Sequence, residues 1–262
     1  MESRILVEKR DRVATVTFDS PEKRNSIDYE GWVELARVTN ELADEDDVRV
    51  VVFTGSGDRA FSAGADIVDF DRRRSTPEQA KDYANVFGSA VDAIEALPKP
   101  SICSIKGYCL GGGCELSVAA DIRIADDSSR FGIPTAKLGI AVGYDEMRRL
   151  VNIVGSTNAS YILLTGRLLD AQDALRIGLV NRVLPLDKID GFVSELAGEV
   201  ASLAPLSHRY QKEILRTVLR NPGLSSLTPD QEDLPLFFMD TEDYQEGRRA
   251  FKERRSPNFK GR

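Results

Sequence analysis

The chain has 262 residues, 42% of them hydrophobic and 29% charged, with a formal net charge of -7. That length suits one large domain, or one domain with an appendage, and a pI near 5 excludes a general nucleic-acid binder because no net positive field would steer a polyanion. No apolar run approaches the length of a membrane span, and Met1-Glu-Ser-Arg-Ile-Leu-Val-Glu8 lacks a signal-peptide pattern, so no membrane partner and a cytoplasmic location are expected.

Alternation of Ile5 and Val7, then of Ala14, Val16 and Phe18 against Val13, Thr15 and Thr17, predicts two strands hinged near Arg10-Asp11-Arg12. Ser20-Pro-Glu-Lys-Arg-Asn25 is a polar turn. Asp28 is placed to cap a helix that carries Trp32, Leu35, Ala36 and Leu42 at helical spacing. The acidic run Asp44-Glu-Asp-Asp47 reads as a solvated loop. Val48-Arg-Val-Val-Val-Phe-Thr54 has the near-continuous apolar pattern of a strand buried on both faces. Small residues follow in Ala60-Phe-Ser-Ala-Gly-Ala-Asp-Ile67, and then a long helix to about Ala96 with Ser75 or Thr76 as its cap.

Ser101 to Ile105 predicts a short buried strand, and Leu116-Ser-Val-Ala-Ala120 a buried helix. Between them Gly111, Gly112 and Gly113 let the backbone turn sharply and let a ligand approach the N–H groups. The stretch is either an anion or oxyanion site beside the carboxylate of Glu115, or a turn whose glycines only pack closely. Cys103, Cys109 and Cys114 have no C-x-x-C spacing and read as buried reduced thiols. Short strands are expected at Asp121–Ala125 and Arg130–Ile133, then an irregular segment to Asp145. Helices are expected over Arg148–Val154, Ala159–Thr165 and Ala171–Ile177, the last capped by Asp170, and a strand over Leu179–Leu184. Beyond Leu186 the pattern is helical. The single histidine, His208, adjoins Ser207, and neighbours on a helix do not face each other, so neither a metal site nor a catalytic triad is expected. Chemistry falls to carboxylates, backbone donors and tyrosine. The fold class is α/β, with strand–strand–helix units followed by a helical appendage.

Phe61-Ser-Ala-Gly-Ala-Asp-Ile67 and Gly107-Tyr-Cys-Leu-Gly-Gly-Gly-Cys-Glu-Leu116 resemble the two signature loops of the crotonase (enoyl-CoA hydratase/isomerase) superfamily. Asp121-Ile-Arg-Ile-Ala125, Leu164-Thr-Gly166 and the ending Glu246 to Phe259 resemble the family as well. The resemblance implies a ββα spiral core over residues 1–200 and a helical oligomerisation region over 201–262. It implies a homotrimer or a hexamer of paired trimers, with no cofactor beyond the coenzyme A thioester that serves as substrate. The Ala65 and Gly112 N–H groups would hold the thioester oxygen. Lys23, Arg24, Ala63, Asp66 and Ile67 would meet coenzyme A, and Phe251 and Lys252 would reach that of a neighbouring subunit. Residues 247–262 carry seven cationic side chains against one acid, Glu253.

The implied activity is hydration of a 2-enoyl-CoA by two glutamates. Glu115 matches the first, but Thr135, in Phe131-Gly-Ile-Pro-Thr135, stands where the second is expected. A threonine hydroxyl can hold a water and is no general base near pH 7. Tyr144, Asp145 and Glu146 replace the family's glycine-rich segment. Asp145 is therefore a candidate acid/base as well as a candidate helix cap. Isomerase, thioester hydrolase, decarboxylase and non-catalytic acyl-CoA-binding readings stay open.

Overall fold

A computed structural model describes residues 4–262. β1 (Arg4–Arg10) and β2 (Val13–Asp19) pair antiparallel through a turn in which Asp11 and Arg12 both have positive φ. The helix α1 (Tyr29–Asp44) begins where the Asp28 carboxylate accepts the Gly31 N–H at 2.8 Å, which satisfies one of the donors left open at a helix start. Trp32, Leu35, Val38 and Leu42 lie on its buried face.

Three further turns of the chain repeat one plan. β3 (Val50–Gly55) and β4 (Ala60–Ser62) lead to α2 (Phe70–Arg73) and α3 (Pro77–Ala96). β5 (Ser101–Ile105) and β6 (Tyr108–Leu110) lead to α4 (Gly112–Ser117). β7 (Ile122–Asp126) and β8 (Arg130–Gly132) lead to α5 (Tyr144–Thr165), inside which Gly155 breaks the helical backbone. β9 (Leu169–Asp170), α6 (Ala171–Arg176) and β10 (Arg182–Leu184) complete the sheets. The first strand of each turn joins a six-stranded sheet in the order β1-β2-β3-β5-β7-β10, and the second joins a four-stranded sheet in the order β4-β6-β8-β9.

The helices α7 (Leu186–Ser202), α8 (Pro205–Arg220), α9 (Pro229–Asp233) and α10 (Glu242–Glu253) follow. Ile189, Val193, Ala197 and Ala201 of α7 recur every fourth residue and cover Val50, Val52, Ile102 and Ile124 of the large sheet. The other face of that sheet meets the main core, where Phe18 and Phe61 pack edge to face at 5.3 Å and Trp32 and Phe87 at 4.9 Å. α8 is tied to this body by the Lys212 ammonium, which donates to Lys99 O at 2.9 Å. On α10, Asp243 accepts the Lys260 and Gly261 N–H groups at 2.7 and 2.9 Å and so fastens the chain end.

Several boundaries differ from the sequence reading. Thr76, and not Ser75, caps α3, accepting the Gln79 N–H ahead of a proline at the first turn. The strand expected from Val48 begins at Val50, and the one expected over Leu179–Leu184 pairs only over Arg182–Leu184. The helix expected over Leu116–Ala120 starts earlier, inside the glycine triplet, and ends at Ser117. The Ser117 carbonyl at its end and the Ala120 carbonyl beyond it accept from the buried Arg123 guanidinium, at 3.3 Å and 2.6 Å. Asp170 caps α6 through the Asp173 N–H as expected, and the three thiols are buried and unpaired.

Candidate active site

The loops that leave β4, β6 and β8 are brought side by side by the register of the small sheet, which pairs Ser62 with Cys109 and Leu110 with Gly132. Gly64, at φ +89°, allows the closest approach: a Cβ there would lie 2.7 Å from both Gly112 N and Leu110 O. Asn25 braces the first loop from beneath, its buried side-chain amide donating to Ala60 O at 2.7 Å. Ser62 completes the brace, its hydroxyl donating to Asn25 O at 2.7 Å and accepting the Gly64 N–H at 3.0 Å. Neighbouring backbone donors are used as well: Ala63 N–H binds Arg24 O, Asp66 N–H binds Ile27 O, and Gly111 N–H binds Gly132 O. Among the described residues the Ala65 and Gly112 N–H groups donate to no protein acceptor. Both residues line one cavity of about 400 Å³.

Glu115, in the first turn of α4, is 7% exposed and faces the same cavity. Burial, with a contribution from the charge of Glu146, pushes its carboxyl up to about 7, against a smaller opposing pull from Arg74. Glu146 is the second acid on the cavity wall. It occupies the third position of α5, whose cap is Gly143, and its carboxylate lies so close over Gly143 that a Cβ there would collide with it. Behind it Arg149, 4% exposed, donates to Glu95 at 2.8 Å and also pairs with Asp92. The remaining Arg149 nitrogen, buried and without a hydrogen-bond partner, stands 3.9 Å from Glu146 Oε1. Apolar side chains, among them Phe70, Phe87, Leu138 and Ile140, form most of the remaining wall.

Ala63, Ile67 and Thr135 also line this cavity. Asp145 does not line it. Its side chain is 68% exposed and pairs with Arg148 at 3.4 Å, because residues adjacent on a helix point in different directions and Glu146 takes the inward one. Nor is Asp145 the cap of α5, since that place belongs to Gly143. Tyr144 is 98% exposed and turned to solvent. Lys23 and Asp66 meet each other at 2.7 Å, and the Arg24 guanidinium lies over the Tyr108 ring at 5.2 Å. Phe251 and Lys252 line a separate groove with Phe237 and Tyr244 on the C-terminal helices. Sequence reasoning did not place Arg74 or Tyr83 on this wall, where both lie. It also set Glu146 behind Asp145, although counting three residues from a glycine cap would have singled out Glu146.

The sequence profile of the enoyl-CoA hydratase/isomerase family matches residues 8–262. Crotonyl-CoA hydratase of Syntrophomonas wolfei is 33% identical over 255 residues, covering 97% of each chain. Short-chain-enoyl-CoA hydratase of Clostridium acetobutylicum is 34% identical over 260 residues, 98% of each. A crystal structure of an enoyl-CoA hydratase/carnithine racemase from Magnetospirillum magneticum superposes with a TM-score of 0.95 at 36% identity, covering 98% of this chain and 96% of that one. With the profile spanning nearly every residue and the fold shared throughout, the chain belongs to the enoyl-CoA hydratase/isomerase family.

Proposed function

We propose that the protein hydrates short 2-enoyl-CoA thioesters, with the thioester oxygen held between the Ala65 and Gly112 N–H groups. The observation that carries this reading is the convergence of two unused backbone donors and a buried carboxyl on one cavity. As water adds to the β carbon, charge accumulates on the thioester oxygen, and fixed donors lower that barrier without reorganising. Removal of one such donor costs roughly 10²–10³ in rate in other enzymes.

The proton balance needs a carboxylate to take a proton from water and a carboxylic acid to give one to the α carbon. A group near 7 exists in both forms close to neutral pH, which suits Glu115 to either role. Glu146, the other acid on the cavity wall, is the second member of the pair, and its charge adds to the burial that raises the Glu115 carboxyl. Thr135 is left to hold the attacking water by hydrogen bonding.

Purified protein should remove the conjugated thioester absorbance of crotonyl-CoA without releasing free thiol. Thiol release would establish a hydrolase instead, and an unchanged spectrum across a short-chain panel would end the hydration reading. The same proposal includes a homotrimer built through the C-terminal helices, in which Phe251, 86% exposed, and Lys252 meet a neighbouring subunit's coenzyme A. Light scattering at micromolar concentration should give about three times the 28.9 kDa chain mass; the mass of a single chain would remove that part.

A further inference from the structure

We infer that Arg74 selects acyl groups bearing a free carboxylate, so that the cavity takes short dicarboxylic mono-CoA thioesters in preference to plain alkyl ones. The inference rests on the acyl-CoA reading above and adds the class of acyl chain.

Arg74 ends α2, its backbone N–H bonded to Phe70 O at 2.8 Å, and its half-buried side chain lines the cavity. The guanidinium lies over the Phe70 ring at 4.4 Å and the Tyr83 ring at 5.2 Å. These faces orient the cation and leave its edge, where the N–H donors lie, unoccupied. Tyr83 is itself fixed by the Trp32 indole, which donates to its hydroxyl at 3.1 Å. The adjacent Arg73 has an acid, Glu30 at 2.7 Å, whereas Arg74 makes no ion pair and no side-chain hydrogen bond among the described residues. A plain alkyl chain would bury those donors without an acceptor, which is costly. A carboxylate fits the fork of the guanidinium through two parallel charge-assisted hydrogen bonds. The cavity's acids, Glu115 and Glu146, would repel an anionic chain end, so accepting one requires a cation on the same wall.

Calorimetric titration of saturated, non-reacting thioesters reads this selection without turnover. The probes are the mono-CoA thioester of a six-carbon dicarboxylic acid, hexanoyl-CoA, and free coenzyme A. The wild-type protein should bind the carboxylated thioester roughly tenfold to a hundredfold more tightly than hexanoyl-CoA, the span expected for a hydrogen bond to a charged group. In Arg74→Met that ratio should fall close to one. Equal wild-type affinities, or a preference that survives in Arg74→Met, would overturn the inference. So would a loss of free coenzyme A affinity in Arg74→Met as large as the loss for the carboxylated thioester, since Arg74 would then serve the phosphates. Hexanoyl-CoA binding without discrimination removes this inference alone; failure to bind either thioester removes the acyl-CoA reading with it.

Discussion

Glu115→Gln should lower kcat for crotonyl-CoA hydration by roughly 10²–10⁴-fold, the range expected when one acid/base group is lost. KM should move little, because the proposed thioester donors, the Ala65 and Gly112 N–H groups, are backbone groups that the substitution leaves in place. A variant that turns over at the wild-type rate would end Glu115's assignment as acid/base. The same substitution carries a stability signature of opposite sign. Burial places the folded-state value near 7, above the ordinary 4.5, so the folded protein keeps this proton where the unfolded chain releases it. The resulting stability is full below about pH 4.5 and is lost as the pH rises through about 7. Glutamine has nothing to titrate. Urea unfolding at pH 5 and pH 8 should therefore show wild type losing stability relative to Glu115→Gln, by on the order of 3 kcal/mol. Parallel curves would mean that the carboxyl is better hydrated than its 7% exposure implies. Stability and catalysis thus pull in opposite directions at this residue.

What could be read from the sequence was what local chemistry decides. The buried face of α1 and its Asp28 cap follow from helical periodicity and from a donor that needs an acceptor, and both are found as expected. The glycine triplet and the Phe61–Ile67 loop were legible as a pair only through their resemblance to the family. Their contact depends on the register of the small sheet, a long-range property that no window of sequence contains. Arg74 was hidden for a similar reason. Three consecutive arginines look alike in sequence, and only the fold gives Arg73 an acid while turning Arg74 over Phe70 and Tyr83. The choice between Asp145 and Glu146 depended on one residue of helix phase. With Gly143 as the cap, α5 begins at Tyr144, and that start turns Glu146 inward and Asp145 to solvent.

That phase carries the second large effect. Glu146→Gln should reduce hydration by about 10²-fold or more, since the pair would lose one of its two proton carriers. Asp145→Asn should stay within about twofold of wild type, because an exposed side chain paired with Arg148 reaches neither substrate nor Glu115. Adding Thr135→Glu to the Glu146→Gln background tests whether location matters or only the presence of a second carboxyl. Thr135 lines the same cavity, so a glutamate there would face the same reacting space. Partial recovery, by at least tenfold over Glu146→Gln, is expected if the reaction needs two acids and tolerates either wall. Recovery should stay incomplete, because the Arg149 nitrogen 3.9 Å from Glu146 Oε1 braces the present position and leaves position 135 without such support. If Glu146→Gln is silent while Thr135→Glu alone raises the rate, Glu146 is only a wall of the cavity. The protein would then be working with Glu115 and a water held by Thr135, and its native activity should be correspondingly slow.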